Sequence, residues 1–179
     1  MEKNFTFAPL ITEIEIKHRI DELAEQIAKE FGDEEVILVA ILKGSFIFTA
    51  DLLRSLYQYN VHPQMDFLRA SSYGHSEVSS GTVKITLGTT IPLNGKNILL
   101  VDDICDSGRT LKSIEATMKE YGAIKVKTCV LMDKPSRREV EYVPNFIGFE
   151  IPDKFVIGYG LDYAEKYRDI PYIAVVQHN

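Results

Sequence analysis

The sequence predicts an α/β domain built on a mainly parallel sheet flanked by helices. Three apolar runs carry that expectation: Val36–Leu42, Asn97–Asp103 and Val126–Met132. Each is short, continuous and bounded by polar residues, the pattern of a strand buried on both faces. Helix-period segments alternate with them, and strand–helix alternation implies parallel pairing through right-handed crossovers. At 179 residues the chain fits one domain, 1–179, with a core of its own. It shows no internal repeat and no interdomain linker.

The elements follow in order. Thr12 and Glu15 form a capping box, in which a hydroxyl and a carboxylate satisfy reciprocal backbone donors. Ile16, Ile20, Leu23, Ile27 and Phe31 then recur at helical spacing, and Gly32 is a natural stop. After the first buried strand, a second helix is expected to turn Phe48, Leu52, Leu53 and Leu56 inward. Strand character resumes at Met65–Ser71 and Val83–Leu87. The intervening SSYGHSEVSSG, residues 71–81, is small, polar and too long for a tight turn, which makes it a candidate flexible lid hairpin. Leu93–Lys96 turns the chain into the second buried strand. A helix presenting Leu111, Ile114, Met118 and Tyr121 ends near Gly122. Shorter strands are expected at Phe146–Phe149 and Tyr172–Val176.

Composition excludes several function classes. Twenty basic against 26 acidic residues leave a net charge of −6, which repels a phosphate backbone at long range, so no nucleic-acid partner is expected. No apolar run approaches the roughly 20 residues that span a bilayer, and the N-terminus carries no signal-peptide pattern, so no membrane partner is expected either. Two cysteines outside any CxxC pair suit a reducing, cytoplasmic setting. The four histidines are scattered without metal-ligand spacing, and Gly158-x-Gly160 lacks the strand-to-helix context of a dinucleotide fingerprint.

The chemistry concentrates in Leu99-Leu100-Val101-Asp102-Asp103-Ile104-Cys105-Asp106-Ser107-Gly108-Arg109-Thr110. A buried strand runs into adjacent carboxylates, then a third, then Ser-Gly-x-Thr at a helix start. Ligands bind at the carboxyl ends of parallel strands. Helix N-terminal amides beside hydroxyls suit a phosphate monoester, and Gly108 lets backbone approach the ligand closely. Carboxylates beside a phosphate cradle would repel an anion unless they bind sugar hydroxyls or Mg²⁺, a hard cation that prefers oxygen.

LLVDDICDSGRT resembles the phosphoribosyl-pyrophosphate signature of the type I phosphoribosyltransferases. Leu42-Lys43-Gly44-Ser45, Ser71-Ser72-Tyr73-Gly74, Lys134, Phe149–Tyr163 and Tyr167-Arg168-Asp169 narrow the resemblance to the hypoxanthine-guanine phosphoribosyltransferases. Two departures are mild: many members have Glu where Asp102 stands and Thr where Ser107 stands. The resemblance implies that fold, with a lid hairpin carrying Ser72 and Tyr73 and a small base-binding hood. It implies a 5′-phosphate held by Asp106, Ser107, Gly108, Arg109 and Thr110. Asp102 and Asp103 would contact ribose hydroxyls and one Mg²⁺, and Asp162 a second. Lys43 and Gly44, after a non-proline cis peptide, would hold the pyrophosphate together with Arg168. Asp106 would be the general base.

On the same resemblance, Phe155 would stack on the purine, the Val156 backbone would read its Watson–Crick edge, and the Asp162 main chain would lie near its 2-position. Lys134 only donates hydrogen bonds, so it matches a 6-oxo group and repels a 6-amino group. The implied reaction joins hypoxanthine, and guanine, to 5-phosphoribosyl 1-pyrophosphate, giving nucleoside monophosphate and pyrophosphate. The implied assembly is a dimer or tetramer. A xanthine- or pyrimidine-specific transferase remains an alternative within the fold. A regulatory nucleic-acid binder is a second, disfavoured by the acidic balance.

Overall fold

A computed structural model describes residues 5–72 and 83–178. The chain forms β1 (Phe5–Ile11), α1 (Glu13–Phe31), β2 (Val36–Leu42), α2 (Phe46–Gln58), β3 (Gln64–Ser72), β4 (Val83–Leu87), β5 (Asn97–Cys105), α3 (Arg109–Glu120), β6 (Lys125–Asp133), β7 (Phe146–Glu150), β8 (Val156–Ile157) and β9 (Ile173–His178). Six strands form the main sheet in the order β4-β3-β2-β5-β6-β7. β3, β2, β5, β6 and β7 run parallel, and β4 adds an antiparallel edge to β3.

The strands alternate their burial between two cores, as period-two geometry requires. Leu38, Ala40, Leu99, Val101, Cys129 and Leu131 face α1 and α2. Ile37, Val39, Ile41, Ile98, Leu100 and Val130 face α3. Burying a Leu or Ile side chain contributes about 1.5–3 kcal/mol, so these paired faces fix the sheet register firmly. The Thr12–Glu15 capping box forms as expected: the Thr12 amide donates to Glu15 Oε2 at 2.8 Å, and the Glu15 amide to Thr12 Oγ1 at 3.3 Å. Gly32 ends α1 at φ 55°. Phe48, Leu52 and Leu56 are buried, and Leu53 packs partly against them.

Polar side chains tie neighbouring segments to the sheet at two places. Arg19 of α1 donates to the carbonyls of Ile147 and Gly148 on edge strand β7, at 2.6 and 2.8 Å. Asp66 of β3 accepts from the amides of Phe67, Thr90 and Ile91 at 2.8, 2.6 and 2.8 Å, tying the 90–91 segment to the sheet.

A second, three-stranded antiparallel sheet, β1-β9-β8, forms a hood. Phe5, Phe7, Tyr163 and Tyr167 cluster on it with ring centroids 5.0–6.1 Å apart, over Ile157, Ala174 and Val176. β1 was not expected from the sequence. Pro9 argues against a strand, and it sits where the register shifts on an outer strand, the place a sheet tolerates proline. One expectation is corrected. Tyr121 is 65% exposed, because α3 ends before it and its ring leaves the helix face that buries Met118.

Candidate active site

The site begins where the parallel strands end. β2 delivers Lys43 and Gly44 after a cis Leu42–Lys43 peptide, as expected. β5 delivers the acidic pair. The Asp103 amide donates to Asp102 Oδ1 at 3.0 Å, and the Ile104 amide to Asp103 Oδ1 at 2.8 Å, so the backbone orients both carboxylates. Asp102 is buried and Asp103 half-buried. Burial, reinforced by the Asp103 charge, pushes the Asp102 pKa well above the ordinary carboxylate range, and burial likewise raises Asp103. Two adjacent, poorly solvated carboxylates favour anything cationic or hydroxylic that can neutralise or bond them.

Gly44 packs directly on this pair. A Cβ there would lie 1.6 Å from Asp103 Oδ2, so only glycine permits the approach. The hood closes the same point from the other side, because a Cβ on Gly160 (φ 103°) would lie 2.0 Å from the Gly44 carbonyl oxygen. The two glycines thus serve separate contacts: Gly160 lets the hood backbone rest on Gly44, and Gly158 (φ 90°) lets it pass the Tyr172 carbonyl, 2.2 Å from where a Cβ would stand.

The 106–110 turn follows β5. Gly108 adopts φ 81° and starts α3, with the Arg109 amide donating to Ser107 Oγ at 3.3 Å. A cavity of about 230 Å³ opens here, lined by Ala70, Asp102, Asp103, Asp106, Ser107 and Thr110, among others. The Arg109 side chain points away, to Glu139 at 2.6 Å, so any contact of this residue with a ligand in the turn falls to its backbone. From below, Arg138 grips the turn: its guanidinium donates to the Asp106 carbonyl and Cys105 Sγ and pairs with buried Asp133. Arg137 pairs with Asp106 at 3.2 Å and with Asp153 of the hood at 3.5 Å.

Lys134 follows β6 and is nearly buried, 8% exposed, with Nζ donating to the Lys154 carbonyl at 2.7 Å. That bond uses one of its three donors. Phe155 is 55% exposed despite its size, its ring nearly perpendicular to that of Tyr163 with centroids 5.7 Å apart. Val156 is buried in β8. Arg168 donates from Nη1 to the Gly160 carbonyl at 2.8 Å and pairs through Nη2 with Asp162 at 2.8 Å and Glu165 at 3.2 Å. Lys43 reaches the same Glu165 at 2.8 Å.

Ser72 ends β3, whereas Tyr73 and the rest of the expected lid lie outside the described residues. Among the described residues no three His, Cys, Asp or Glu side chains gather as a metal cage. The residues that sequence reasoning missed are Arg137, Arg138, Asp133 and Glu165. Arg137 and Arg138 stand just after Lys134, and only a fold that returns them to the Asp106 turn reveals their part.

A parallel sheet whose strand ends bring together a carboxylate pair, a glycine-bearing turn at a helix start and two cationic side chains is an arrangement suited to a phosphorylated sugar. The chain belongs to the phosphoribosyl transferase domain family, whose model matches residues 11–164. The hypoxanthine-guanine phosphoribosyltransferase of Bacillus subtilis is 43% identical over 168 residues, covering 94% of this chain and 92% of that protein. The hypoxanthine phosphoribosyltransferase of Escherichia coli is 44% identical over 173 residues, covering 96% of each. A crystal structure of the hypoxanthine-guanine enzyme from Bacillus anthracis superimposes with a TM-score of 0.88 at 39% identity, covering 97% of this chain and all of that one. That of the Trypanosoma cruzi hypoxanthine enzyme gives 0.91 at 38%, covering 99% and 94%.

Proposed function

We infer that this chain is a purine-salvage transferase that moves the 5-phosphoribosyl group from 5-phosphoribosyl 1-pyrophosphate to hypoxanthine, and to guanine. The observation that carries the reading is the meeting of Gly44, Asp103 and Gly160, with Asp103 also lining the cavity of Asp106, Ser107 and Thr110. That convergence supports a reading in which sugar, phosphate and pyrophosphate are held around one point. The 107–110 amides and the Ser107 and Thr110 hydroxyls receive the 5′-phosphate. Asp102 and Asp103 accept from the ribose hydroxyls. Lys43 and Arg168 receive the pyrophosphate, the guanidinium offering a fork matched to phosphate oxygens.

The all-oxygen donors of Asp102, Asp103 and Asp162 fit Mg²⁺, which is held through one or two carboxylates plus substrate oxygens. Each Asp162 oxygen keeps a lone pair beyond its present bond. Bound there, the ion offsets charge on the leaving pyrophosphate. In the hood, Phe155 stacks on the base and Lys134 donates to its 6-oxo group. Asp106 accepts the N7 proton as N9 attacks the ribose carbon. The protein works as a dimer or tetramer in the cytoplasm.

Activity measured with hypoxanthine, guanine, xanthine, adenine and uracil, each with phosphoribosyl pyrophosphate and Mg²⁺, tests the reading. Turnover of hypoxanthine and guanine with little of adenine or uracil is expected. Comparable rates with adenine would remove the 6-oxo assignment. Light scattering after size-exclusion chromatography reads the assembly, and a monomer at micromolar concentration would contradict it.

A further inference from the structure

Glu165 joins the two cations assigned to pyrophosphate. A single oxygen, Oε2, lies 2.8 Å from Lys43 Nζ and 3.2 Å from Arg168 Nη2. Lys43 comes from the end of β2 and Arg168 from the hood, so this carboxylate spans the gap between the two halves of the site. A phosphate oxygen of a bound pyrophosphate would meet the same donors.

The turn that presents Glu165 is built for that position. Ala164 and Glu165 both adopt left-handed backbone, φ 52° and 63°, in a two-residue hairpin turn closed by reciprocal Tyr163–Lys166 hydrogen bonds of 3.0 and 3.1 Å. Such turns favour glycine, asparagine or aspartate at both positions. Alanine and glutamate hold the conformation here because Asp162 Oδ2 accepts the Glu165 amide at 2.8 Å and the Tyr163 and Tyr167 rings anchor the flanks. The glutamate side chain is two-thirds exposed, so it can swing into water without disturbing a core.

We propose that Glu165 is an internal substitute for pyrophosphate, occupying the Lys43–Arg168 clamp in the free enzyme and competing with the ligand for it. This rests on the reading of Lys43 and Arg168 as pyrophosphate ligands. Before binding, the glutamate keeps two like charges paired and the clamp assembled. Once pyrophosphate enters, the displaced carboxylate remains nearby as a repelling anion, which lowers affinity and speeds release of the product.

Calorimetry with inorganic pyrophosphate, in the presence and absence of Mg²⁺, tests the proposal on the full chain. Glu165→Gln should tighten pyrophosphate binding about threefold to tenfold, the range expected from removing two exposed ion pairs. The KM for phosphoribosyl pyrophosphate should fall alongside. Binding of inosine monophosphate, which lacks the pyrophosphate, should move less than about twofold, within the range of an exposed pair. Glu165→Asn serves as the second variant, since asparagine tolerates left-handed backbone and guards against loss of the turn. Unchanged or weaker pyrophosphate binding in both variants overturns the proposal, and weaker binding makes Glu165 a positioning residue instead. Lys43→Gln and Arg168→Gln separate the two levels. If they leave pyrophosphate binding intact, the clamp assignment itself fails. If they weaken it while the Glu165 variants change nothing, only the competition fails.

Discussion

At the end of β5, Asp102 and Cys105 pair through the ladder with β6, and β2 borders the strand on its other side as far as Val101. The carboxylates there are aimed by backbone amides. In the hood, by contrast, β8 has two residues and one strand neighbour. Its site residues are held by left-handed turns, aromatic edges and exchangeable ion pairs. On the proposed assignment, the sheet half holds a ribose phosphate in one geometry while bonds form at its anomeric carbon. On the same assignment, the hood half admits a base and releases pyrophosphate on every cycle. Rigid packing serves the first task, and contacts that water and ligand can replace serve the second.

Five substitutions, one of them a control, sharpen that contrast, taken from the largest expected effect. Asp106→Ala on the sheet side should lower the single-turnover rate by about 10²–10⁴-fold, the usual contribution of a general base. Binding of phosphoribosyl pyrophosphate should change far less, and a variant keeping more than about half the rate would take the role from Asp106.

Lys134→Met, at the junction of the halves, should cut kcat/KM for hypoxanthine by about tenfold to a hundredfold, because it removes a buried charged donor. The ratio of 6-oxo to 6-amino activity should fall with it. A folded variant with an unchanged ratio would mean that another group reads the base.

Gly160→Ala places a Cβ against the Gly44 backbone at positive φ, a strain of about 1–3 kcal/mol. Thermal unfolding should record it, with a raised KM for phosphoribosyl pyrophosphate. Gly88→Ala, where nothing lies within 4 Å, should stay within about 0.5 kcal/mol of the parent. Equal stability of the two variants would show that the hood does not rest on Gly44.

The smallest effect is a pH dependence. Burial alone would raise the Asp66 pKa, but the amides of Ile91, Phe67 and Thr90 and the Thr90 hydroxyl outweigh it and hold it below the ordinary value. A depressed folded pKa contributes stability above the unfolded value near 4 and loses it as pH falls through the folded one. Asp66→Asn should therefore flatten the acid limb of a denaturation series by about 1 kcal/mol. Identical limbs in parent and variant would remove Asp66 from the acid response.

The same contrast governs what the sequence discloses. β2, β5 and β6 are legible because continuous apolar runs have few other uses, and the acidic segment after β5 is legible because its residues adjoin in the chain. The hood is legible mainly through resemblance. β1 hides behind Pro9, β8 is too short for periodicity, and Gly160 carries no meaning until Gly44 stands opposite. Arg168 alone reads as a surface ion-pair residue, and the structure does pair it with Asp162 and Glu165. The resemblance joins it to Lys43 through pyrophosphate, and the structure adds that both reach one carboxylate, Glu165.

Cys105 and Cys129 are both buried free thiols, one beside the Asp106 turn and the other in the middle of β6. Burial raises the Cys105 pKa to about 12, and it raises that of Cys129 too. At neutral pH neither holds appreciable thiolate, the form that reacts with alkylating reagents and peroxide. The native enzyme should therefore resist such reagents, and each thiol becomes a clock for exposure of its own surroundings. Cys105 reports opening of the 106–110 turn, and Cys129 reports separation of the central sheet. Alkylation followed over time can thus weigh local opening against global unfolding in the unmodified chain.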